Sequence, residues 1–253
     1  MFYLVPTPYS LAPPSLTRSD GGCGAGGGIK DISVIISHFD KYPLISQKQA
    51  DFELFKQAFL IISKKEHLTE EGLRKIVALK ASLNLGLSED LKTAFYSDGE
   101  MSFTPPIYKP LVTNQTVSNP NWLAGFTEGD GSFGVNIKHS SSNKIGYQVY
   151  LQFDIIQHVR DVLLLQSFVD FFNCGNVYRH SENAVTFKVT KFSDIKNSII
   201  PFYKQHPLYG VKSKDFHDFC LVCELINSKA HLTLEGLNQI RIIKARMNTG
   251  RKF

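Results

Sequence analysis

The stretch Trp122-Leu-Ala-Gly-Phe-Thr-Glu-Gly-Asp-Gly-Ser-Phe133 is the most informative part of this 253-residue sequence. It follows the breaker run Ser118-Asn-Pro-Asn121, which predicts that a helix begins near Trp122. Gly125 and Gly129 lie one helical turn apart, and Ala124 stands beside them. This helix therefore has a face with almost no side chain, which a second helix can approach closely. We expect Ala124, Gly125 and Gly129 to form a helix–helix interface.

The end of this helix carries two carboxylates, Glu128 and Asp130. Gly131 follows them and is predicted to occupy the left-handed C-cap position that commonly ends a helix. From Ser132 to Lys138 apolar and polar residues alternate, as they do in a half-buried strand. The pattern predicts a helix that places an acid where a strand begins. The alternative is a packing helix with a solvated acidic end.

The nine residues Leu123–Gly131 resemble the signature helix of the LAGLIDADG homing endonucleases. Five of the nine are identical to the motif that names the family, namely Leu123, Ala124, Gly125, Asp130 and Gly131. The resemblance implies an α+β fold of order αββαββα and cleavage of double-stranded DNA during intron homing. It also implies divalent metal, with Mg²⁺ as the cofactor and Asp130 as its ligand, and a mitochondrial location. An intron maturase that binds RNA is an alternative, because the family also includes such proteins, and a degenerate, inactive remnant is another.

An internal repeat is the second informative feature. A shift of 164 residues aligns residues 35–86 with residues 199–250 without a gap, and 21 of the 52 positions are identical. His67-Leu-Thr69 aligns with His231-Leu-Thr233 in this way. The period is far longer than that of a solenoid repeat. It indicates two copies of one domain, as in single-chain members of the family that the signature resembles.

The counterpart of the signature helix would fall before residue 1, so we expect the first copy to be truncated, with helices only at 29–86. Residues 1–28 are rich in Pro, Ser and Gly and are predicted to be disordered. Residues 87–121 carry four prolines and are predicted to be an extended linker. Residues 122–250 then form a complete second domain. The missing signature helix would have to come from a second chain, without which the protein is expected to be inactive.

Within 122–250 the sequence predicts the elements of αββαββα with trailing helices. The predicted strands are 132–139, 146–156, 177–180 and 184–190, and the predicted helices are 159–172, 193–205, 213–228 and 233–247.

Phosphodiester hydrolysis needs a polarised phosphorus, an activated water and a neutralised leaving oxygen, which metal ions held by carboxylates can supply. Asp130 is the candidate metal ligand. By the resemblance, Lys212 matches a family position occupied by a lysine near the active site, and Asp154 matches a position near metal-bound water. The alternative for Lys212 is a surface lysine at a helix start. Lys48 is the repeat equivalent of Lys212.

Polar residues of the strands are the candidates for DNA binding, because a two-stranded ribbon fits the major groove. The candidates are Asn136, Lys138, His139, Arg179, His180 and Lys188. Solvent-exposed strands carry such residues anyway, so ordinary surface polarity is the alternative. His158 and His231 are better explained by packing and capping than by catalysis.

The composition gives no sign of a membrane span and suits a polyanion partner. No apolar run reaches the roughly 18 residues that a membrane span needs. The net charge is +5, and residues 199–253, with nine Lys or Arg against four Asp or Glu, account for all of it. A basic surface suits nucleic acid, although a solvated helix looks similar. Cys220-Leu-Val-Cys223 lies in an apolar helical pattern without a second pair, which favours buried free thiols over a zinc site.

Overall fold

The computed structural model describes residues 28–84, 86–96 and 107–251. The chain divides into two compact units, with the sequence boundary between Asn114 and Gln115. We call the described residues up to Asn114 the N-terminal unit and those from Gln115 the C-terminal unit. Within the described ranges, no helix combines the length and the apolar character needed to cross a membrane. The segment predicted to be disordered lies outside the described residues apart from Gly28.

The N-terminal unit is helical. Its helices are α1 (Ile29–Lys41), α2 (Lys48–Ser63), α3 (Glu70–Ser82) and α4 (Glu89–Tyr96). Between α2 and α3 the chain makes a 3₁₀ turn, and Lys65 before that turn adopts a positive φ of 60°. Thr69 then caps α3, because its Oγ1 accepts a hydrogen bond from the Gly72 N–H at 3.1 Å.

Residues 87–121, predicted to be an extended linker, contain helix α4, the start of the helix Pro120–Asp130 and a segment that is hydrogen-bonded to α2 and the residue before it. Helix α4 forms because acidic residues in its first turn favour the positive end of the helix dipole. Further along, the Gln47 side chain donates to Val112 O at 2.8 Å and accepts from Val112 N at 3.2 Å. Lys109 forms an ion pair with the buried Asp51. Part of this segment therefore makes specific contacts with the rest of the N-terminal unit, although it contains prolines.

The C-terminal unit has the order αββαββα followed by further helices, as predicted. Its first seven elements are α5 (Pro120–Asp130), β1 (Gly131–His139), β2 (Tyr147–His158), α6 (Val162–Phe172), β3 (Asn176–Arg179), β4 (Ala184–Val189) and α7 (Phe192–Asp194). A π-helical turn (Ile195–Ile199) connects α7 to α8 (Ile200–Gln205), and α9 (Lys212–Asn227) and α10 (Leu234–Ala245) complete the unit. The fold class is α+β, so that prediction is confirmed.

The four strands form one antiparallel sheet of order β1-β2-β4-β3. One face of it is apolar, and α6 and α9 pack against that face. Phe133 on β1 is fully buried at its centre. Its ring contacts four other aromatic rings at centroid distances of 5.2–5.4 Å, those of Phe153, Tyr203, Phe216 and Phe219. Because successive side chains of a strand alternate, the opposite face of the sheet carries the polar residues.

Helix α5 begins two residues earlier than the sequence predicted. Asn119 is its N-cap, with the side-chain oxygen accepting from Asn121 N at 2.9 Å, and Pro120 occupies the first turn, where its missing N–H costs nothing. The predicted interface residue Ala124 is buried, whereas Gly125 and Gly129 are half-buried. Their pairing with a second signature helix stays a prediction.

The prediction of a left-handed Gly131 is wrong. Gly131 has φ −82° and ψ 160°, which is extended backbone and already the first residue of β1. The reason for glycine is space, because a Cβ at this position would lie 2.5 Å from Thr127 Cγ2 and 2.9 Å from Thr127 O. Helix α5 therefore passes directly into β1 without a turn, and Asp130 lies at the junction.

Candidate active site and nucleic-acid interface

The carboxylate of Asp130 lies at the junction of α5 and β1 and is exposed. Glu128 lies two positions earlier on the helix and is half-buried. Its carboxylate accepts a hydrogen bond from the first residue of α9. The two acids of the motif are thus separated by environment. The exposed Asp130 is accessible to a ligand, and Glu128 is held inside the unit.

Lys212, the first residue of α9, reaches the same junction. Its Nζ donates to Gly129 O at 3.3 Å and to Gly131 O, so it lies across the end of α5. Burial lowers the pKa of Lys212, and the negative charges of Glu128, Asp130 and Asp215 oppose that shift. The structure therefore brings the predicted catalytic residues Asp130 and Lys212 together.

Asp154 lies on β2, on the polar face of the sheet. In the strand register it stands opposite Ser132 on β1 and opposite Lys188 on β4. The Gln152 amide donates a hydrogen bond to its Oδ1. Because Ser132 is only two residues beyond Asp130, Asp154 lies on the end of the polar face that adjoins the α5–β1 junction.

The polar face continues along β1 and β2. Asn136 pairs with Tyr150, and Lys138 pairs with Gln148. The Lys138 ammonium also lies 5.2 Å from the centroid of the Tyr150 ring, which is a cation–π distance. Lys188 on β4 stands on the same face, opposite Asp154. Three of the six predicted DNA-binding residues, Asn136, Lys138 and Lys188, therefore share one surface.

Two of the other three candidates, His139 and Arg179, do not lie on this face. His139 stands opposite Tyr147 at the end of β1, with the alternation of Phe133, and its ring lies 5.8 Å from the Tyr147 ring. Arg179 pairs with the buried Val185 and donates from Nη2 to Glu182 O at 3.0 Å. His180 lies just beyond β3, where its N–H donates to Ala184 O at 2.9 Å, and it keeps the parity of Asn176 and Tyr178, at the end of the polar face. All three residues are exposed, and strand parity directs His139 and Arg179 away from the Asn136 row.

Several polar-face residues were not among the candidates. They are Ser132, Gln148, Tyr150, Gln152, Asn176, Tyr178 and Thr186. A strict period of two along each strand would have found them, because each is an even number of positions from a candidate on its own strand or pairs directly with one. Residue type alone, which favours His and Arg, selected the wrong parity at two positions.

A buried charge network was also missed. Asp215 accepts from Arg251 Nε and Nη2 at 3.0 and 2.7 Å, and Asp218 accepts from Arg246 Nη2 at 2.7 Å and from Arg251 Nη2 at 2.8 Å. Burial opposes ionisation of Asp218, but the two guanidinium groups outweigh it and hold its pKa below the usual range. The Asp215 carboxylate also accepts the Asn248 N–H at 3.0 Å. The network fixes the chain after α10 against α9, and only its long sequence separations hid it.

His158 and the two cysteines of α9 have structural surroundings. His158 Nδ1 accepts from Arg160 N at 3.2 Å and caps the 3₁₀ turn that follows β2, as expected for a capping residue. Cys220 and Cys223 are free thiols on adjacent turns of α9. Burial raises the pKa of both thiols, that of Cys220 to about 11. Both therefore stay protonated and unreactive at neutral pH.

Within the described ranges, no group of three or more His, Cys, Asp or Glu side chains could enclose a metal ion. An exposed single carboxylate such as Asp130 nevertheless fits Mg²⁺. This ion is usually held by one or two carboxylates, with waters and substrate phosphate oxygens completing its octahedral shell. The site is therefore suited to a metal that arrives with a phosphate ligand.

The fold and the α5–β1 junction define a class of protein in which a small-faced helix carries an acid to the edge of a polar antiparallel sheet. Residues 26–59 and 123–223 match the family described as LAGLIDADG endonuclease, so the chain belongs to the LAGLIDADG endonuclease family. The resemblance of Leu123–Gly131 to the LAGLIDADG signature helix is thereby confirmed, and so is the expected αββαββα fold.

Relatives and solved structures agree with this family. The chain is 39% identical over 220 residues to "Probable intron-encoded endonuclease 3" of Neurospora crassa and 39% identical over 223 residues to "Probable intron-encoded endonuclease 2" of the same organism. These matches cover 86% and 84% of this chain but only 40% and 46% of the relatives, so the chain spans less than half their length.

Among solved structures, the chain resembles the I-SmaMI LAGLIDADG homing endonuclease bound to cleaved DNA, with a TM-score of 0.85 and 43% identity over 89% of this chain and 74% of that one. It also resembles the LAGLIDADG homing endonuclease I-GzeII in complex with its DNA target, with a TM-score of 0.80 and 44% identity over 89% of this chain and 76% of that one.

Proposed function

We propose that this chain is a DNA-binding, metal-dependent homing endonuclease that hydrolyses both strands of a long double-stranded target. One observation carries the proposal: the exposed carboxylate of Asp130 and the half-buried ammonium of Lys212 share the α5–β1 junction, where the polar face of the sheet begins. An acid suited to Mg²⁺ and a cation suited to phosphate therefore adjoin a surface that can hold a nucleic acid.

Each residue has a definite task in this proposal. Asp130 would hold Mg²⁺, and the bound ion would supply an activated water and neutralise charge at the phosphate. Lys212 places a positive charge beside the phosphoryl oxygens, and because its Nζ is already anchored to two backbone carbonyls, little reorganisation is needed during reaction. Asp154, oriented by Gln152, accepts a hydrogen bond from water on the same face.

The polar face is the proposed DNA-binding surface. Asn136, Lys138 and Lys188 lie in a sheet whose two-stranded β1–β2 ribbon can enter the major groove. Amide side chains such as Gln148 and Gln152 suit base edges, and the lysines suit guanine or phosphate. His139 and Arg179 are proposed to contact the DNA backbone at the rim, because they are exposed but do not share the polar face. His180 is proposed to extend the polar face beyond β3.

Cleavage of both strands needs a second acid. The described residues hold one signature helix, α5, and we propose that a second such helix packs on its small-residue face at Ala124, Gly125 and Gly129.

We further propose that the protein is encoded in a mitochondrial intron. Two matching relatives are described as a "50.9 kDa protein in ND4 intron 1" of Podospora anserina and a "cox1 intron-2 37.2 kDa protein" of Schizosaccharomyces pombe. Their identities to this chain are 64% over 42 residues and 29% over 175 residues. These names support an intron origin for this chain, and we propose a mitochondrial location on the same basis.

The experiment is selection from a library of randomised double-stranded targets with Mg²⁺, followed by cleavage assays on the recovered sequence. We expect cleavage that requires Mg²⁺, and we expect Asp130→Asn to slow it by at least about 10³-fold while DNA binding in Ca²⁺ is retained. The matched control is Asp170→Asn, which changes an exposed aspartate on α6 and should cleave like the wild type.

The assay also separates the alternatives. A protein that binds structured intron RNA tightly and cleaves no DNA would replace the endonuclease with a splicing factor. The proposed function would be refuted if the protein cleaves no target, either alone or when co-expressed with a domain of a relative that carries a second signature helix. So would an Asp130→Asn variant that cleaves as fast as the wild type.

A further inference from the structure

Glu128 is the acid of the signature stretch that the proposed chemistry does not use, and its environment differs from that of Asp130. The helix turns Glu128 away from the polar face, toward the loop that precedes α9. Its Oε1 accepts a hydrogen bond from the Lys212 backbone N–H at 3.3 Å, and its Oε2 is buried. The side chain therefore connects the end of α5 to the first residue of α9, across 84 positions of sequence.

The loop before α9 is shaped around this carboxylate. A Cβ built on Gly210 would overlap Glu128 Oε1, so a residue with a side chain would push the carboxylate out of its position. Glycine at 210 is required by this close approach, since its backbone needs no positive φ. The loop and the acid thus fit each other, and the fit places a negative charge at the N-terminus of a 16-residue helix, where it is stabilising.

The same residue, Lys212, is held at both ends. Its backbone N–H is fixed by Glu128, and its side chain lies over the carbonyls of Gly129 and Gly131. With its backbone fixed, the long lysine side chain starts from a defined point and loses fewer conformations when it meets the phosphate. Small displacements of a catalytic group lower rates strongly, because reacting groups must be held near their productive geometry.

We propose that Glu128 is a positioning residue for the reaction, which sets the position of Lys212 by accepting the hydrogen bond from its backbone N–H. The inference rests on the proposed function, in which Lys212 acts at the phosphate. Glu128 acts through its reach and its acceptor oxygen, and its negative charge is secondary.

Two substitutions separate reach from charge. Glu128→Gln loses the charge but keeps the length and an acceptor oxygen, whereas Glu128→Asp keeps the charge but is one methylene too short. We expect Glu128→Asp to lower the single-turnover cleavage rate by about 10- to 100-fold, with DNA affinity in Ca²⁺ changed by less than about threefold. Glu128→Gln should keep the rate within about fivefold of the wild type. The opposite order of the two rates would overturn the proposal.

A double-mutant cycle tests whether Glu128 acts through Lys212. If it does, Glu128→Asp combined with Lys212→Ala should cleave no more slowly than Lys212→Ala alone, because the group being positioned is already gone. Independent, multiplying effects of the two substitutions would contradict the inference.

Hydrogen exchange gives a readout that does not depend on cleavage. In the full chain, the Lys212 amide should exchange at least about tenfold faster in Glu128→Asp than in the wild type or in Glu128→Gln, because a lost hydrogen bond opens the first turn of α9. Gly210→Ala should accelerate the same amide. If the wild type cleaves no DNA, the proposed function fails. Hydrogen exchange of the Lys212 amide then tests by itself whether Glu128 fixes the Lys212 backbone. Unchanged exchange in both Glu128→Asp and Gly210→Ala would overturn the proposal.

Discussion

The two units contain the same helical sequence in different surroundings. Across the 164-residue shift, the turns before α3 and α10 have nearly the same backbone angles. Lys65 and Lys229 have φ values of 60° and 62°, and Thr69 and Thr233 cap the following helices through hydrogen bonds of 3.1 Å each. Local sequence identity has produced the same local structure in both units.

Burial does not follow the identity. Phe219 on α9 is fully buried, and its ring lies 5.3 Å from that of Phe133 on β1. Its equivalent on α2, Phe55, is 42% exposed. Leu237 is likewise fully buried on α10, whereas Leu73 on α3 is 43% exposed. The comparison shows that turns and caps are properties of the repeat itself, whereas the burial of its apolar side chains depends on the unit around them, as with Phe219, which packs against β1.

The largest expected difference between the units is at this phenylalanine. Phe219→Ala should lower the free energy of unfolding of the C-terminal unit by about 3–5 kcal/mol, because it leaves a cavity against Phe133. Phe55→Ala should cost less than about 1 kcal/mol, because the ring is already largely in water. Calorimetry and urea unfolding of the two variants measure both values. Equal costs would show that Phe55 is covered in solution.

The two lysines that begin α2 and α9 should differ in activity. Lys212→Ala should slow cleavage by about 100-fold, since the cation at the α5–β1 junction is removed. Lys48→Ala should change the rate by less than about threefold, because the Lys48 side chain is exposed and is not anchored like that of Lys212. Single-turnover rates with Mg²⁺ test both. A large loss in Lys48→Ala would indicate that a second junction assembles around it.

A third difference concerns the buried acids. Asp218 is bound by two arginines, and its equivalent in the N-terminal unit is Leu54. Asp218→Asn should cost about 2 kcal/mol at pH 7, the usual value for hydrogen bonds to a charged group.

The cost of Asp218→Asn should also depend on pH. The pKa of Asp218 is lower in the folded protein than in the unfolded chain, so its stabilising contribution is present above the unfolded value of about 4 and is lost as the pH falls through the folded value. The gap between wild type and variant should therefore narrow toward pH 3. Melting temperatures from pH 7 to pH 3 test this, with Glu224→Gln on the exposed face of α9 as the control. A gap that widens in acid would contradict the assignment.

The smallest effects should be equal in the two units. Thr69→Ala and Thr233→Ala each remove an N-cap hydrogen bond of the same length, so each should cost about 1 kcal/mol. Chemical unfolding of the two single variants gives the values. Costs that differ by more than about twofold would show that the sheet stabilises the cap as well as the apolar face.

Much of the fold was predictable because it follows local rules. The alternation from Ser132 to Lys138 predicted β1, and the order αββαββα followed from similar patterns and from the family resemblance. The start of α5 was placed two residues late because the cap, Asn119, acts before the proline of the first turn. Gly131 was assigned a positive φ because glycine usually ends helices that way, whereas here it makes room for Thr127.

The candidate site was predictable only in part. The motif indicated Asp130, and the repeat and the family resemblance indicated Lys212. In the structure both residues lie at the α5–β1 junction. The contacts of Glu128 with Lys212 and of Asp215 with Arg251 were not predictable, because each joins residues far apart in the sequence without a motif. On the sheet, residue type misplaced His139 and Arg179, because strand parity decides which face a side chain occupies.

Strand β1 forms one edge of the sheet, and two of its carbonyl oxygens already have side-chain donors. Lys212 donates to Gly131 O, and Asn248 Nδ2 donates to Phe133 O at 3.1 Å. An exposed strand edge is a template for pairing with strands of other molecules, and such pairing leads to aggregation. These two side chains close the beginning of the edge to an incoming strand, so intermolecular pairing is restricted to the part beyond Phe133. The lysine proposed to act on phosphate therefore also occupies a carbonyl acceptor on the edge strand of the sheet.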